Sequence, residues 1–235
     1  METSQAETSL IGALACKRFS PASIAELSDA DFEAFEEQLY TELDLWCSRD
    51  ALYWGQNWTF TENPKWKDQG LEWRSKFPKK SYFVPLFQAF GTYKRLFIPK
   101  TREMMTSWCA MLWAAHQAQW HKAEVIVQTD AEDKAKELVG YAACLYRNQP
   151  DWLRAKHPLA NSSLTELRYQ SGGRVFGIPK GEHKIRMHHP TIYIMDEASF
   201  LPEAQQCFDA AEPVAGQIIA ISSAGPGWFG DQCSR

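Results

Sequence analysis

The sequence predicts a three-layer α/β fold with a mainly parallel central sheet, preceded by an N-terminal helical extension. Three observations point there. From Lys94 onward, short apolar runs alternate with helix-length segments, the pattern of a parallel sheet covered by helices. The chain has 235 residues, 45% hydrophobic and 23% charged, which suffices to bury a core without disulfides or metal. No apolar run approaches the roughly 18 residues of a membrane span. Residues 1–80 read as the extension and residues 81–235 as the α/β core.

In chain order, residues 1–20 are expected to be poorly ordered. A helix should begin after Ser28, a capping residue followed by Asp29 and Asp31, and run to about Arg49. Its apolar positions Phe32, Phe35, Leu39, Leu43 and Trp46 recur at helical spacing, so one face should pack inward. Residues 50–80, rich in Trp, Pro, Lys and Asn, read as irregular. Residues 82–90 read as a helix with Pro85 early in it. The expected strands are 95–99, 124–129, 191–196 and 217–222. Helices should fill 104–121 and 130–147. The SGG of residues 171–173 should turn a hairpin within 164–178.

Charge and special residues narrow the function classes. The net charge of −4 argues against a constitutive nucleic-acid coat. An acidic stretch spans residues 29–50, and a basic stretch from Lys65 to Lys80 carries Trp66, Trp73 and Phe77 among its cations. That mixture is compatible with nucleic-acid contact, and equally with a solvated loop anchored by a few aromatics. The six cysteines form no CxxC pair and are expected to be reduced and mostly buried. The histidines have no ligand spacing, so no metal is assigned to them. The polar start has no basic signal-peptide region, and a cytoplasmic location is expected.

Three segments carry candidate chemistry. The apolar run at 191–195 ends in two adjacent carboxylates, Asp196 and Glu197. Parallel sheets gather function at the carboxyl ends of their strands. Such a pair suits a nucleoside-triphosphate site, one acid holding Mg²⁺ and the other orienting water. A helix start made acidic for its dipole would look the same. After the strand at 95–99, Lys100, Thr101, Arg102, Glu103, Met104, Met105, Thr106 and Ser107 keep the length of a phosphate loop without its glycines. Lys100 stands at its start and Ser107 at the metal-ligand position. A cation there is worth roughly 4 kcal/mol against a unit charge at 4 Å and an effective dielectric near 20. Met104 and Met105 in place of glycine argue against a tight nest of backbone N–H groups, because φ > 0 is disfavoured with a side chain. An ordinary helix start is the other reading. The third segment, 217–225, is an apolar strand ending in Ser222, Ser223 and Ala224. It could pass a phosphate-dependent change to a mobile loop, or be a plain Ser-Gly turn.

The order of these segments, phosphate loop, acidic pair and coupling strand, matches RecA-like ATPases. In particular, IPKTREMMTSW (98–108), TIYIMDEASF (191–200) and AISSAG (220–225) resemble the motifs of tailed-phage large terminase subunits. So does the link RVFGIPKGEHKIRMHHPTIYIMDE (174–197). The resemblance spans about residues 80–230. It implies an ASCE-type, RecA-like ATPase fold that hydrolyses ATP with Mg²⁺ and moves double-stranded DNA into a procapsid. It would make residues 100–107 nucleotide-binding, with Lys100 and Arg102 on the phosphates. Ser107 and Asp196 would hold magnesium, Glu197 would be the general base, and Ser222, Ser223 and Ala224 the coupling residues. Gln88 resembles the family's adenine-reading glutamine, and Arg186 an arginine that senses phosphate. The implied partners are the portal protein, the small terminase subunit and further copies in a ring. Family members continue into a nuclease domain, so this chain is expected to lack that part and to cut no DNA. Two other readings stand beside it, a different RecA-like translocase or helicase fragment and a non-hydrolysing DNA- or capsid-binding scaffold.

Overall fold

The computed structural model describes residues 28–63, 68–70, 72–178, 181, 183–225 and 227–234. The expectation for residues 1–20, and the basic positions Lys65 and Lys67 with Trp66, lie outside these. Helix α1 (Asp29–Arg49) starts where Ser28 caps the Asp31 N–H. Its buried stripe is Leu39, Leu43 and Cys47, whereas Phe32 and Trp46 are 45% and 41% exposed. Leu39 and Leu43 of the predicted face are thus buried and Phe35 packs against the core, while its end positions lie open and Trp46 meets the edge of the Tyr53 ring.

Residues 50–80 are not irregular throughout. Asp50 caps α2 (Ala51–Trp58) by accepting from the Tyr53 N–H. Strands β1 (Phe60–Glu62) and β2 (Arg74–Lys76) then pair antiparallel. Gly, Asn, Trp and Tyr are weak helix formers, and Gly55 alone costs about 1 kcal/mol against alanine. Burying one Trp side chain returns several kcal/mol, and both Trp54 and Trp58 are buried. Packing therefore wins over propensity. Trp54 also donates from Nε1 to Gln149 Oε1 at 3.1 Å. Phe77 is 1% exposed, a core anchor rather than a base-stacking ring.

Helix α3 (Phe83–Thr92) accommodates Pro85 in its first turn, where the N–H groups lack helical partners anyway. There follow β3 (Arg95–Lys100), α4 (Thr106–His121), β4 (Glu124–Gln128), α5 (Glu132–Arg147), α6 (Asp151–Lys156), β5 (Leu159–Ser162), β6 (Glu166–Tyr169), β7 (Arg174–Ile178), α7 (His183–Arg186), β8 (Ile192–Asp196), α8 (Ala204–Ala211), β9 (Gln217–Ser223) and α9 (Trp228–Cys233). The four predicted strands and the hairpin, now β6–β7, are present. The short elements α6, β5, α7, α8 and α9 carried too little periodicity to be read in advance.

The larger sheet has seven strands in the order β3-β9-β8-β4-β7-β6-β5, parallel from β3 to β7, with β6 and β5 antiparallel. Successive side chains along a strand face opposite sides, and each side has its own core. Val125, Val127, Ile192, Ile194, Ile219 and Ile221 pack with α1 to α5. Ile126, Tyr193, Met195, Ile218 and Ala220 pack with α8 and α9. This is a three-layer, RecA-like α/β fold. The loops after β3 and β4 lead to helices on one face, and those after β8 and β9 to helices on the other. A crevice therefore opens at the carboxyl ends of these strands.

The hairpin turn allows no side chain at Gly173, where a Cβ would sit 1.9 Å from the Ala118 carbonyl oxygen. Gly173→Ala is expected to lose about 1–3 kcal/mol in urea unfolding. Gly91→Ala, at an exposed position of α3 with nothing within 4 Å, should be neutral or stabilising. His116, on α4 and 2% exposed, donates from Nε2 to the Cys47 carbonyl of α1 at 2.8 Å. Its pKa is pushed down to about 4 by burial. The unfolded chain binds this proton more tightly, so stability should fall as pH drops from about 6.5 towards 4, by up to about 3 kcal/mol. Replacing His116 with Gln should flatten that slope in pH-dependent denaturation curves.

Candidate functional site

The geometry of the crevice follows from strand register. Lys100, the last residue of β3, is paired with Ser223 of β9, and Asp196, the last of β8, with Ile221. Every residue of β8 is buried, so its end delivers Asp196 into a nearly closed setting, 7% exposed. There the Asp196 carboxylate accepts from Ser107 Oγ, whose distances to its two oxygens are 3.1 and 3.0 Å. Burial pushes the Asp196 pKa up, while Lys100 and the Ser107 hydroxyl pull against that rise.

Glu197 turns out of the strand in a left-handed conformation, φ 54°. Its Oε1 accepts from Lys100 Nζ at 2.9 Å and its Oε2 from Ser223 Oγ at 3.3 Å. The following turn is stitched to β9, Ala198 N–H to the Ile221 carbonyl and Ser199 N–H to Ser222 Oγ, both at 3.0 Å. Ser199 Oγ closes the link by donating to the Ser223 carbonyl at 3.1 Å. The three sequence segments thus meet at one place.

Residues 101–105 form the loop between β3 and α4. Glu103 and Met105 both take left-handed φ, 65° and 54°. The absence of glycine therefore does not prevent the positive-φ backbone, although each such residue carries roughly 1–2 kcal/mol of strain. Met105 in that conformation also moves the start of α4 to Thr106, later than the predicted 104. Tyr82 braces the loop by donating its hydroxyl to the Met104 carbonyl at 3.2 Å.

A cleft of about 480 Å³ lies over this cluster, and Arg102, Ser107, Asp196, Glu197 and Ser223 line it. Thr129, Asp130 and Lys134 also line it, and the sequence reading missed all three. Lys134 pairs with Asp130 at 2.8 Å, and both carboxylates of the acidic pair add to the field that raises its pKa. The signal was available, since residues 129–130 follow β4, the parallel neighbour of β8. The sequence pattern places them in a strand and a helix, whereas α5 begins only at Glu132. Phe200 and Tyr141 add aromatic surface, Tyr141 stacking on Trp108 at 4.1 Å.

Three predicted positions fall elsewhere or at the rim. Gln88 is exposed on α3, and Arg186 is exposed at the end of α7; neither lines the cleft. Ala224 is exposed just past β9. Among the described cysteines, Cys47, Cys109, Cys144 and Cys207 are buried and Cys233 is exposed, and none of them forms a disulfide. Among the described residues, no helix is long and apolar enough to cross a membrane.

This fold and strand-end cleft define a RecA-like α/β protein. No family model matches the chain, and no curated protein matches it. Solved structures do share its fold. The large terminase ATPase domain of Thermus phage P74-26 superposes with a TM-score of 0.51 at 14% identity, covering 72% of this chain and 72% of that one. The large terminase of bacteriophage HK97 gives 0.51 at 11% identity, covering 74% of this chain and 37% of the terminase.

The buried carboxylate has a measurable consequence. An acid whose folded pKa lies above its unfolded value binds protons better when folded, so its burden on stability is greatest above the folded pKa. Asp196→Asn is therefore expected to stabilise the ligand-free chain at pH 7, by about 0.5–2 kcal/mol. The gain should shrink towards pH 4, as read by thermal melts across that range.

Proposed function

We propose that this chain is the ATPase part of a viral DNA-packaging motor, a large terminase domain that hydrolyses ATP to drive double-stranded DNA into a procapsid. The observation that carries the reading is convergence. Lys100 and Ser107, Asp196 and Glu197, and Ser223 come from three stretches of chain and are joined by hydrogen bonds at one strand-end cleft. The fold shared with terminase ATPase domains supports it.

The donors suit magnesium, which prefers hard oxygen ligands and keeps part of its water shell. Ser107 Oγ and both oxygens of buried Asp196 face one another within 3.1 Å, and the carboxylate is held at a cost that a cation would offset. In this reading Ser107 and Asp196 hold the ion, which when bound would neutralise charge on the β- and γ-phosphate oxygens.

The chain's own groups do the rest. Residues 100–107 wrap the phosphates, with the N–H groups of Thr101, Glu103, Met104, Met105 and Thr106 as cradle and Lys100 and Arg102 as cations. Lys100 is engaged by Glu197. A triphosphate offers Lys100 a stronger partner and frees the Glu197 carboxylate to orient and deprotonate the attacking water. Ser223 then holds Glu197 by its second oxygen, and Ser222 ties the adjoining turn to β9. A change at the γ-phosphate thus reaches Ala224 and the loop beyond, which is the coupling step. Residues 81–235 form the motor core in this reading, with residues 1–80 as its extension. Its partners are DNA, the portal, the small subunit and ring neighbours in the host cytoplasm.

Glu197→Gln is expected to bind Mg-ATP within about threefold of wild type while turnover falls about 10²–10⁴-fold. Lys100→Ala should weaken both. Steady-state phosphate release and equilibrium nucleotide binding check this, and unchanged turnover in Glu197→Gln protein overturns the mechanism.

A further inference from the structure

Cations approach the acidic pair from two directions. The strand order β3-β9-β8-β4 places the end of β8, where Asp196 and Glu197 stand, between the ends of β3 and β4. At about 4.8 Å per strand, those two outer ends are about 14 Å apart. Lys100 reaches the pair from the β3 side, where it meets Glu197. Lys134 comes from the β4 side, in the first turn of α5, and lines the cleft.

Lys134 is held in place without being used up. Thr129, 1% exposed at the end of β4, donates its hydroxyl to Asp130 Oδ1 at 3.0 Å. Asp130 Oδ2 in turn accepts from Lys134 Nζ at 2.8 Å. An ammonium carries three N–H donors, and that bond takes one. The Lys134 side chain is 53% exposed, so its remaining donors are within reach of a ligand in the cleft. An ion pair this exposed is weak and readily shared with a stronger anion.

The setting is electrostatically unusual. A cation in the first turn of a helix opposes the helix dipole. The hydrogen bond to Asp130 nevertheless raises the Lys134 pKa, with smaller help from the charges of Glu197 and Asp196. The group is therefore a cation at neutral pH. Lys136 on the same helix makes the contrast. It pairs with Glu132 at 3.1 Å and Asp133 at 3.4 Å, and it does not line the cleft.

We propose that Lys134 binds the terminal phosphate of a nucleoside triphosphate in this cleft and so distinguishes it from the diphosphate. The inference rests on the nucleotide reading of the cleft and deepens it. In that reading Glu197 orients the attacking water, so the γ-phosphate lies beside Glu197. Lys134 then donates to its oxygens from the β4 side, while Lys100 does so from the β3 side. A diphosphate is one phosphate shorter and leaves Lys134 with Asp130 alone.

The test titrates Mg-AMP-PNP, a triphosphate that resists hydrolysis, and Mg-ADP into the full chain by calorimetry. Lys134→Gln is expected to weaken the triphosphate about tenfold or more, as for a hydrogen bond to a charged group, and to leave the diphosphate within about twofold. Steady-state hydrolysis of ATP should show a matching loss in kcat/KM. Lys136→Ala removes a cation from the same helix outside the cleft and should change neither affinity, while Lys100→Ala should weaken the triphosphate. Thermal melts confirm that each variant folds. Weakening of both nucleotides alike by Lys134→Gln, weakening of neither, or an equal effect from Lys136→Ala overturns the inference. If Lys100→Ala still lowers triphosphate binding in that case, the nucleotide reading stands without Lys134. Failure of the wild type to bind either nucleotide overturns both.

Discussion

A carboxylate at the end of a fully buried strand is the constraint on which the site depends. Asp196 has lost nearly all its water, and an uncompensated charge there would cost several kcal/mol. The fold answers with a hydroxyl from the first turn of α4 and a lysine at the end of β3. Because those groups arrive on separate elements, the helix start, the edge strand and the central strand have to be in register together. The parallel pairing of β8 with β9, and of β9 with β3, provides that register.

The backbone bears part of the cost. Glu103, Met105 and Glu197, all near the cleft, occupy left-handed conformations that their side chains disfavour. Such strain persists where surrounding structure over-determines it, and here Tyr82 holds the loop from one side while β9 holds the Glu197 turn from the other. The ties between Ser222, Ser223 and the Ala198–Ser199 turn make the acid and the end of β9 one mechanical unit. Movement of Glu197 therefore cannot leave β9 undisturbed.

Much of the sheet was legible because a strand buried on both faces reads as an unbroken apolar run, as 192–195 and 218–221 do. Helix α1 was legible from its cap and spacing, with Phe35, Leu39 and Leu43 facing inward as predicted, but the extent of its buried face was not, since Phe32 and Trp46 scan as core and lie exposed. Helix α2 was hidden by weak propensity and is stabilised by burial of Trp54 and Trp58 against partners distant in sequence. Gln88 and Arg186 show the limit of spacing arguments. Position along the chain suggested a role, yet neither reaches the cleft.

The sequence alone determined the alternation of strand and helix, the acidic pair at a strand end and the cation-to-hydroxyl span of residues 100–107, because these are local patterns of polarity. Tertiary structure decided which groups meet. Only the strand order brings Lys100 to Glu197 and Lys134 to the same cleft. Those outcomes rest on contacts between residues far apart in the chain, which no local pattern encodes.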